Sequence, residues 1–127
     1  VEWLRERWPK TAAVVIDAQS PAMSLLPELK KARIRVTITS MAEMGRAYGR
    51  FQDMLNDGQL KHLPDEAQPQ LAAAVRGAIT RNLGASGALA WNKLGADVDI
   101  SPLVACTLAL YGAYTSKRVP GRKQRVG

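Results

Sequence analysis

Three carboxylates stand where the sequence could do chemistry. Asp17 closes a short continuous apolar run, Ala12-Ala13-Val14-Val15-Ile16, while Asp97 and Asp99 lie one residue apart in a loop led by Gly95-Ala96. A carboxylate directly after a run with buried-strand character is costly to bury unless it caps a turn, pairs with a cation or holds a metal. Asp97 and Asp99 precede an apolar segment opening on Ser101-Pro102, where a helix N-terminus stabilises negative charge. Capping therefore accounts for them as readily as ligation does. Hard cations such as Mg²⁺ take oxygen ligands, often one or two carboxylates completed by water and substrate phosphate. A pair of such ions between Asp17 and the 97–99 loop would suit phosphodiester hydrolysis, with one activating water and the other stabilising the leaving oxygen.

The remaining reactive side chains point to less. His62 is the only histidine and sits beside Lys61, a setting more typical of surface or core than of catalysis. Cys106 lies within an apolar segment and reads as packing. As the only cysteine it forms no intrachain disulfide, which makes a reducing compartment the default. Trp3, Trp8 and Trp91 read as core rather than as base-stacking platforms. No glycine-rich phosphate loop, zinc-type Cys/His spacing or nucleophile elbow is present, which disfavours a metabolic enzyme built on a cofactor motif.

The elements that must position the acids can be read from periodicity. Val1, Leu4 and Trp8 mark an amphipathic helix ended by Pro9. The run ending at Asp17 has the pattern of a strand buried on both faces. Ser20-Pro21 is a cap and first-position pair for a helix to about Lys31, which Pro27 should kink or shorten. Ile34, Val36 and Ile38 alternate with polar residues as a second strand, nearer an edge. Ser40-Met41-Ala42-Glu43 matches a capping box, and Met41, Met44, Tyr48, Phe51 and Leu55 form the stripe of a long helix that Gly58 stops. Leu60 to Leu63 could be a short extended piece. A further helix reaches about Gly77, and the segments Ile79 to Leu83 and Ala88 to Asn92 form a hairpin across Gly84 to Gly87. Ser101-Pro102 caps the last helix, which runs to about Thr115 and is apolar almost all round, so it should be deeply packed. The order αβαβααββα fits an α/β sheet with helices on its faces.

At 127 residues the chain has the usual size of one domain, and its 46% hydrophobic content is enough for a core. No run approaches the length of a membrane span, and no signal-peptide pattern opens it. The first residue is Val rather than Met, as expected of a piece of something longer. The net charge of +7 favours a polyanionic partner such as nucleic acid. That charge is uneven. Lys117, Arg118, Arg122, Lys123 and Arg125 fall in the last eleven residues with no acid among them, leaving +2 for the rest. The expected organisation is a domain over 1–116 and a basic tail over 117–127, disordered unless a nucleic acid or another partner orders it.

Three stretches in register look familiar: Val14 to Ala22, the segment Phe51 to Leu55 leading to Leu60-Lys61-His62, and Asp97 to Ala105 with Trp91 ahead of it. Together they resemble the C-terminal nuclease domain of tailed-phage terminase large subunits, especially those of actinobacterial phages and prophages, over about Val1 to Tyr114. The resemblance implies a ribonuclease-H-like sheet flanked by helices. It also implies an endonuclease that cuts concatemeric viral double-stranded DNA during packaging, in the host cytoplasm, with Mg²⁺ or Mn²⁺ held by an acid cluster. Asp17 matches that family's second acid, and Asp99, with Asp97 close behind, best matches the third. The family's opening strands, carrying its first aspartate, and its ATP-hydrolysing motor are not in this sequence. Whether the chain alone is an active enzyme therefore stays open, and a non-catalytic binding or assembly module, or an inactive prophage remnant, is the other reading. The terminase small subunit and portal are the further partners implied. The edge of the strand ending at Asp17 is expected to pair with another chain, including a second copy.

Overall fold

The computed structural model describes residues 1–83, 87–93 and 97–120. Over these the chain is mixed α/β, about 53% helix and 14% strand. Helix α1 (Glu2–Arg7) passes into a 3₁₀ turn (Trp8–Lys10) that contains Pro9. Strand β1 (Val14–Asp17) follows, then a 3₁₀ turn (Pro21–Leu25), helix α2 (Leu26–Lys31) and strand β2 (Val36–Thr39). Pro27 stands in the first turn of α2, where its missing N–H costs nothing, so it starts the α-helix instead of kinking a longer one.

Strands β1 and β2 are parallel, in register from Val14 opposite Val36 to Asp17 opposite Thr39, and the 3₁₀ turn and α2 form the crossover that such pairing requires. Alternation along β1 serves two cores. Val14 and Ile16 pack with Leu29, Ile34, Leu4 and Trp8 on the side of α1 and α2. Val15 packs on the other side against the cluster of Met44, Ala74, Ile100, Leu103, Val104 and Leu108. The expectation of a strand covered on both faces is met, and period two carries Asp17 to the same side as Val15.

Helix α3 (Met41–Asn56) opens on the expected capping box. The Ser40 hydroxyl accepts from the Glu43 amide, the Glu43 carboxylate accepts from the Ser40 amide, and Gly58 at φ +70° lies just past the end. Residues 60–63 form no strand; they run as a loop to helix α4 (Pro69–Gly77). Strands β3 (Thr80–Leu83) and β4 (Ala88–Trp91) pair antiparallel as expected, and residues 84–86 of their connection fall outside the described residues. The two strand pairs form separate two-stranded sheets, where the sequence suggested one.

Helix α5 (Ser101–Thr115) packs against α3, α4 and β1. Its N-cap is Ile100, one residue before the expected Ser101, because the Asp99 carboxylate already satisfies the Ser101 amide. Leu103, Val104, Thr107, Leu108 and Gly112 are buried, but Ala105, Cys106, Ala109 and Ala113 are exposed. The deep packing expected from its apolar circumference holds on one face only. Trp91 meets the core expectation: its indole N–H donates to the Thr107 hydroxyl at 3.0 Å, and Tyr48 packs edge-on at 4.9 Å. Trp3 departs from it, lying exposed beneath the Arg7 guanidinium, because Leu4 of α1 and Trp8 just after it are the side chains that pack against the core. No helix among the described residues is long and apolar enough to cross a membrane.

Candidate functional site

Asp17 ends β1 at the carboxyl edge of the parallel pair, the position where α/β sheets bind ligands. The chain turns sharply after it. The Ser20 amide donates to the Asp17 carbonyl at 2.9 Å, and the Gln19 amide donates to Asp17 Oδ1 at 3.2 Å. The Ser20 hydroxyl then accepts from the Ala22 amide, starting the 3₁₀ turn as the Ser-Pro pair suggested. On the neighbouring strand the buried Thr39 carbonyl accepts from the Ala18 amide. These bonds fix the backbone around one carboxylate whose residue is only 6% exposed.

That carboxylate has a partner that sequence spacing did not suggest. Lys93 Nζ lies 2.7 Å from Asp17 Oδ2, across 76 positions of sequence. Burying a carboxylate is tolerable when a cation and a hydrogen-bond donor compensate it, and both are present. Asp17, Lys93, Ser20 and Ser101 line one cleft of about 370 Å³, whose apolar wall includes Val15 on β1 and Val104 and Leu108 on α5. The first turn of α5 thus borders the same space as Asp17.

Asp99 sits at the entrance of that turn. Its Oδ1 accepts from the Ser101 amide at 2.9 Å, and hydrogen bonds from the Ser101 hydroxyl and amide hold its carboxyl below the usual aspartate value. It is exposed, as is Asp97. Ser101 joins the two acids structurally: it lines the cleft that holds Asp17 and donates to Asp99. Carboxylate oxygens are the right donors for a hard cation, and Mg²⁺ is commonly satisfied by one or two of them with water and phosphate. In donor chemistry the residues fit such an ion. A closed set is not formed, since no three His, Cys, Asp or Glu side chains among the described residues gather to hold a metal.

A larger cleft of about 480 Å³ opens between α3, α4 and α5, lined by apolar side chains including Phe51, Leu71, Trp91 and Leu103. Cys106 lies on its wall. The expectation that this thiol is packing is corrected: it is exposed, because the face of α5 that carries it is uncovered, and apolar surroundings push its pKa up. His62 is at the rim, exposed, with Nδ1 2.8 Å from the Leu63 carbonyl. Asp65, the one acid lining this cleft among the described residues, is paired with Arg76 at 3.5 Å. The titratable groups on the larger cleft are all exposed, whereas the smaller one holds the buried carboxylate of Asp17, which favours the smaller cleft as the site.

Of the basic tail, Lys117 is exposed and Arg118 is half-buried, while Arg122, Lys123 and Arg125 lie outside the described residues. Arg118 stacks over the Trp8 ring at 3.7 Å and donates to the carbonyls of Trp8 and Thr11. Ser116 donates to the Ala12 carbonyl at 2.8 Å beside it. Scans against models of protein families, curated proteins and solved structures find no match to the chain.

Proposed function

We propose that this chain is part of a metal-dependent DNA endonuclease domain of the ribonuclease-H-like kind, resembling that of tailed-phage terminase large subunits. One observation carries the reading: a buried carboxylate at the carboxyl end of a parallel strand, Asp17, shares a cleft with the first turn of a helix whose entrance carries Asp99 and Asp97. The order of elements, with a βαβ unit followed by a hairpin and a long C-terminal helix, supports it. Asp17 and Asp99, with Asp97 adjacent, are the side chains that would hold Mg²⁺ or Mn²⁺, which when bound supplies an activated water and charge stabilisation at the leaving oxygen. The protein's own contribution is positioning. The Gln19 amide and Lys93 fix the Asp17 carboxylate, and the Ser101 hydrogen bonds hold the Asp99 carboxyl below the usual aspartate value. A two-ion centre takes more carboxylates than these, so a further acid beside the open edge of β1 belongs to the proposal.

The test is nicking of supercoiled plasmid with Mg²⁺ or Mn²⁺, comparing the wild-type chain with Asp17→Ala and Asp99→Asn. Metal-dependent nicking lost in Asp17→Ala is the expected result. Equal activity in wild type and Asp17→Ala would remove Asp17 from the chemistry, and equal activity in wild type and Asp99→Asn would remove Asp99.

A non-catalytic nucleic-acid-binding or assembly module is the second reading. It is favoured by the structural partners that both acids already possess, Lys93 for Asp17 and Ser101 for Asp99. Its signature is salt-sensitive DNA binding without cleavage, weakened by ending the chain after Pro120. That truncation removes Arg122, Lys123 and Arg125 and spares Arg118, which is needed for packing.

A further inference from the structure

We infer that Lys93 is a phosphate-contacting residue of the Asp17 cleft, an assignment that rests on the cleft being where a phosphodiester binds. The argument begins with charge. Among the described residues Asp17 is the acid lining this space, and a bare carboxylate there would repel a phosphate. The 2.7 Å bond to Lys93 cancels that charge and pins the end of an otherwise flexible four-carbon side chain. An ammonium has three protons, and the carboxylate oxygen takes one. Asp17 is its hydrogen-bond partner among the described residues, and 37% of the lysine side chain is exposed while only 9% of the aspartate's is. The pair therefore presents its cationic end outward and its anionic end inward.

The surroundings fit an anion at that position. Among the described residues the polar lining of this cleft of about 370 Å³ is Ser20, Ser101, Asp17 and the partly exposed Lys93. The Ser101 amide is held by Asp99, and the Ser20 hydroxyl accepts from the Ala22 amide with its own O–H left to donate, so Lys93 is the cation of the described lining that an incoming phosphate meets. A lysine held in this way needs little ordering on binding, so its contact with a phosphate oxygen costs less entropy than one from a free surface lysine.

The experiment measures binding of the full chain to a fluorescein-labelled duplex of about 20 base pairs, by anisotropy in EDTA over a range of salt, so that no metal or cleavage enters. Lys93→Met is expected to weaken binding about three- to tenfold and to flatten the salt dependence by about one unit of slope, while Lys93→Arg keeps both. Lys30→Met, on α2 outside the cleft, should behave as wild type. Because Lys93→Met leaves Asp17 buried without its cation, the double variant Asp17→Asn/Lys93→Met is measured as well; it restores melting while binding stays weak. Unchanged affinity and slope in Lys93→Met, an equal loss in Lys30→Met, or restored binding in the double variant would each overturn the assignment. Wild-type binding with loss in Lys93→Met, but no nicking with Mg²⁺ or Mn²⁺, would uphold Lys93 and favour the non-catalytic binding reading of this chain. A wild-type chain that does not bind the duplex would overturn both.

Discussion

The guanidinium of Arg118 lies over the indole of Trp8, 3.7 Å from the ring centroid, and joins residues 110 positions apart. The same side chain donates to the carbonyls of Trp8 and Thr11, closing the end of the 3₁₀ turn that leads into β1. A planar fork stacked on an aromatic face and bonded at its edge is a job for arginine rather than lysine. Arg118→Ala is expected to lower unfolding stability by about 1–3 kcal/mol in urea denaturation, from the lost stacking and the lost hydrogen bonds to the Thr11 carbonyl and to the Trp8 carbonyl, which keeps the Thr11 amide as a donor. Arg118→Lys should recover less than half of that. An alanine variant as stable as wild type would show that the clasp contributes nothing.

Acid should loosen the α3–α5 junction. The Tyr111 hydroxyl donates to Glu43 Oε2 at 2.8 Å, and that bond, with the Ser40 bonds, holds the Glu43 carboxyl below its usual value. A carboxyl titrating lower in the folded chain than in the unfolded one stabilises the fold above the ordinary glutamate range, and loses that contribution as pH falls through the folded value. Glu43→Gln keeps a capping side chain but removes the charge. The melting-temperature gap between wild type and Glu43→Gln should be widest near neutrality and close as acid is added. A gap independent of pH would assign the effect to shape rather than charge.

Local signals were legible in the sequence and distant pairings were not. The Ser40–Glu43 box, the Gly58 stop and the β3–β4 hairpin follow from residues within a few positions of one another, and each stands where spacing placed it. Asp17 was legible as a buried strand-end acid because an apolar run leads straight into it. Lys93 was not: a single lysine after Trp91-Asn92 carries no periodicity, and its partner lies 76 residues away. The uncovered face of α5 was equally illegible, since an apolar circumference says that a helix can be buried, not that every side meets a partner. Separate sheets escaped detection for the same reason, because strand patterns do not state which strands pair.

Gly112 sets how closely α5 approaches β1, and so how the first turn of α5 meets Asp17. A Cβ there would lie 2.6 Å from Val15 Cγ2 and 3.1 Å from Ala13 Cβ, both on the segment that ends at Asp17. A branched side chain would have to push helix and strand apart. Gly112→Val is expected to lower stability by about 1–3 kcal/mol in denaturant unfolding, and to weaken any metal-dependent nicking beyond what the unfolded fraction explains. Full activity in the folded fraction would show that the α5–β1 spacing does not govern the cleft.

The second edge of β1 carries the last prediction. Among the described strands β1 pairs with β2 alone, so its other side presents backbone donors and acceptors with no strand against them. The cleft that holds Asp17 is walled in part by small apolar residues, Ala13 just before β1 and Ala105 and Ala109 on α5. An open edge beside an apolar wall favours pairing with another strand, from a second copy or from a partner. Sedimentation equilibrium of the chain should therefore show association that strengthens with concentration. Ala105→Glu and Ala109→Lys, which place charge on the exposed wall without entering the core, should reduce it. A monomer at every concentration, unaffected by either change, would mean that this edge does not pair with a second copy in solution.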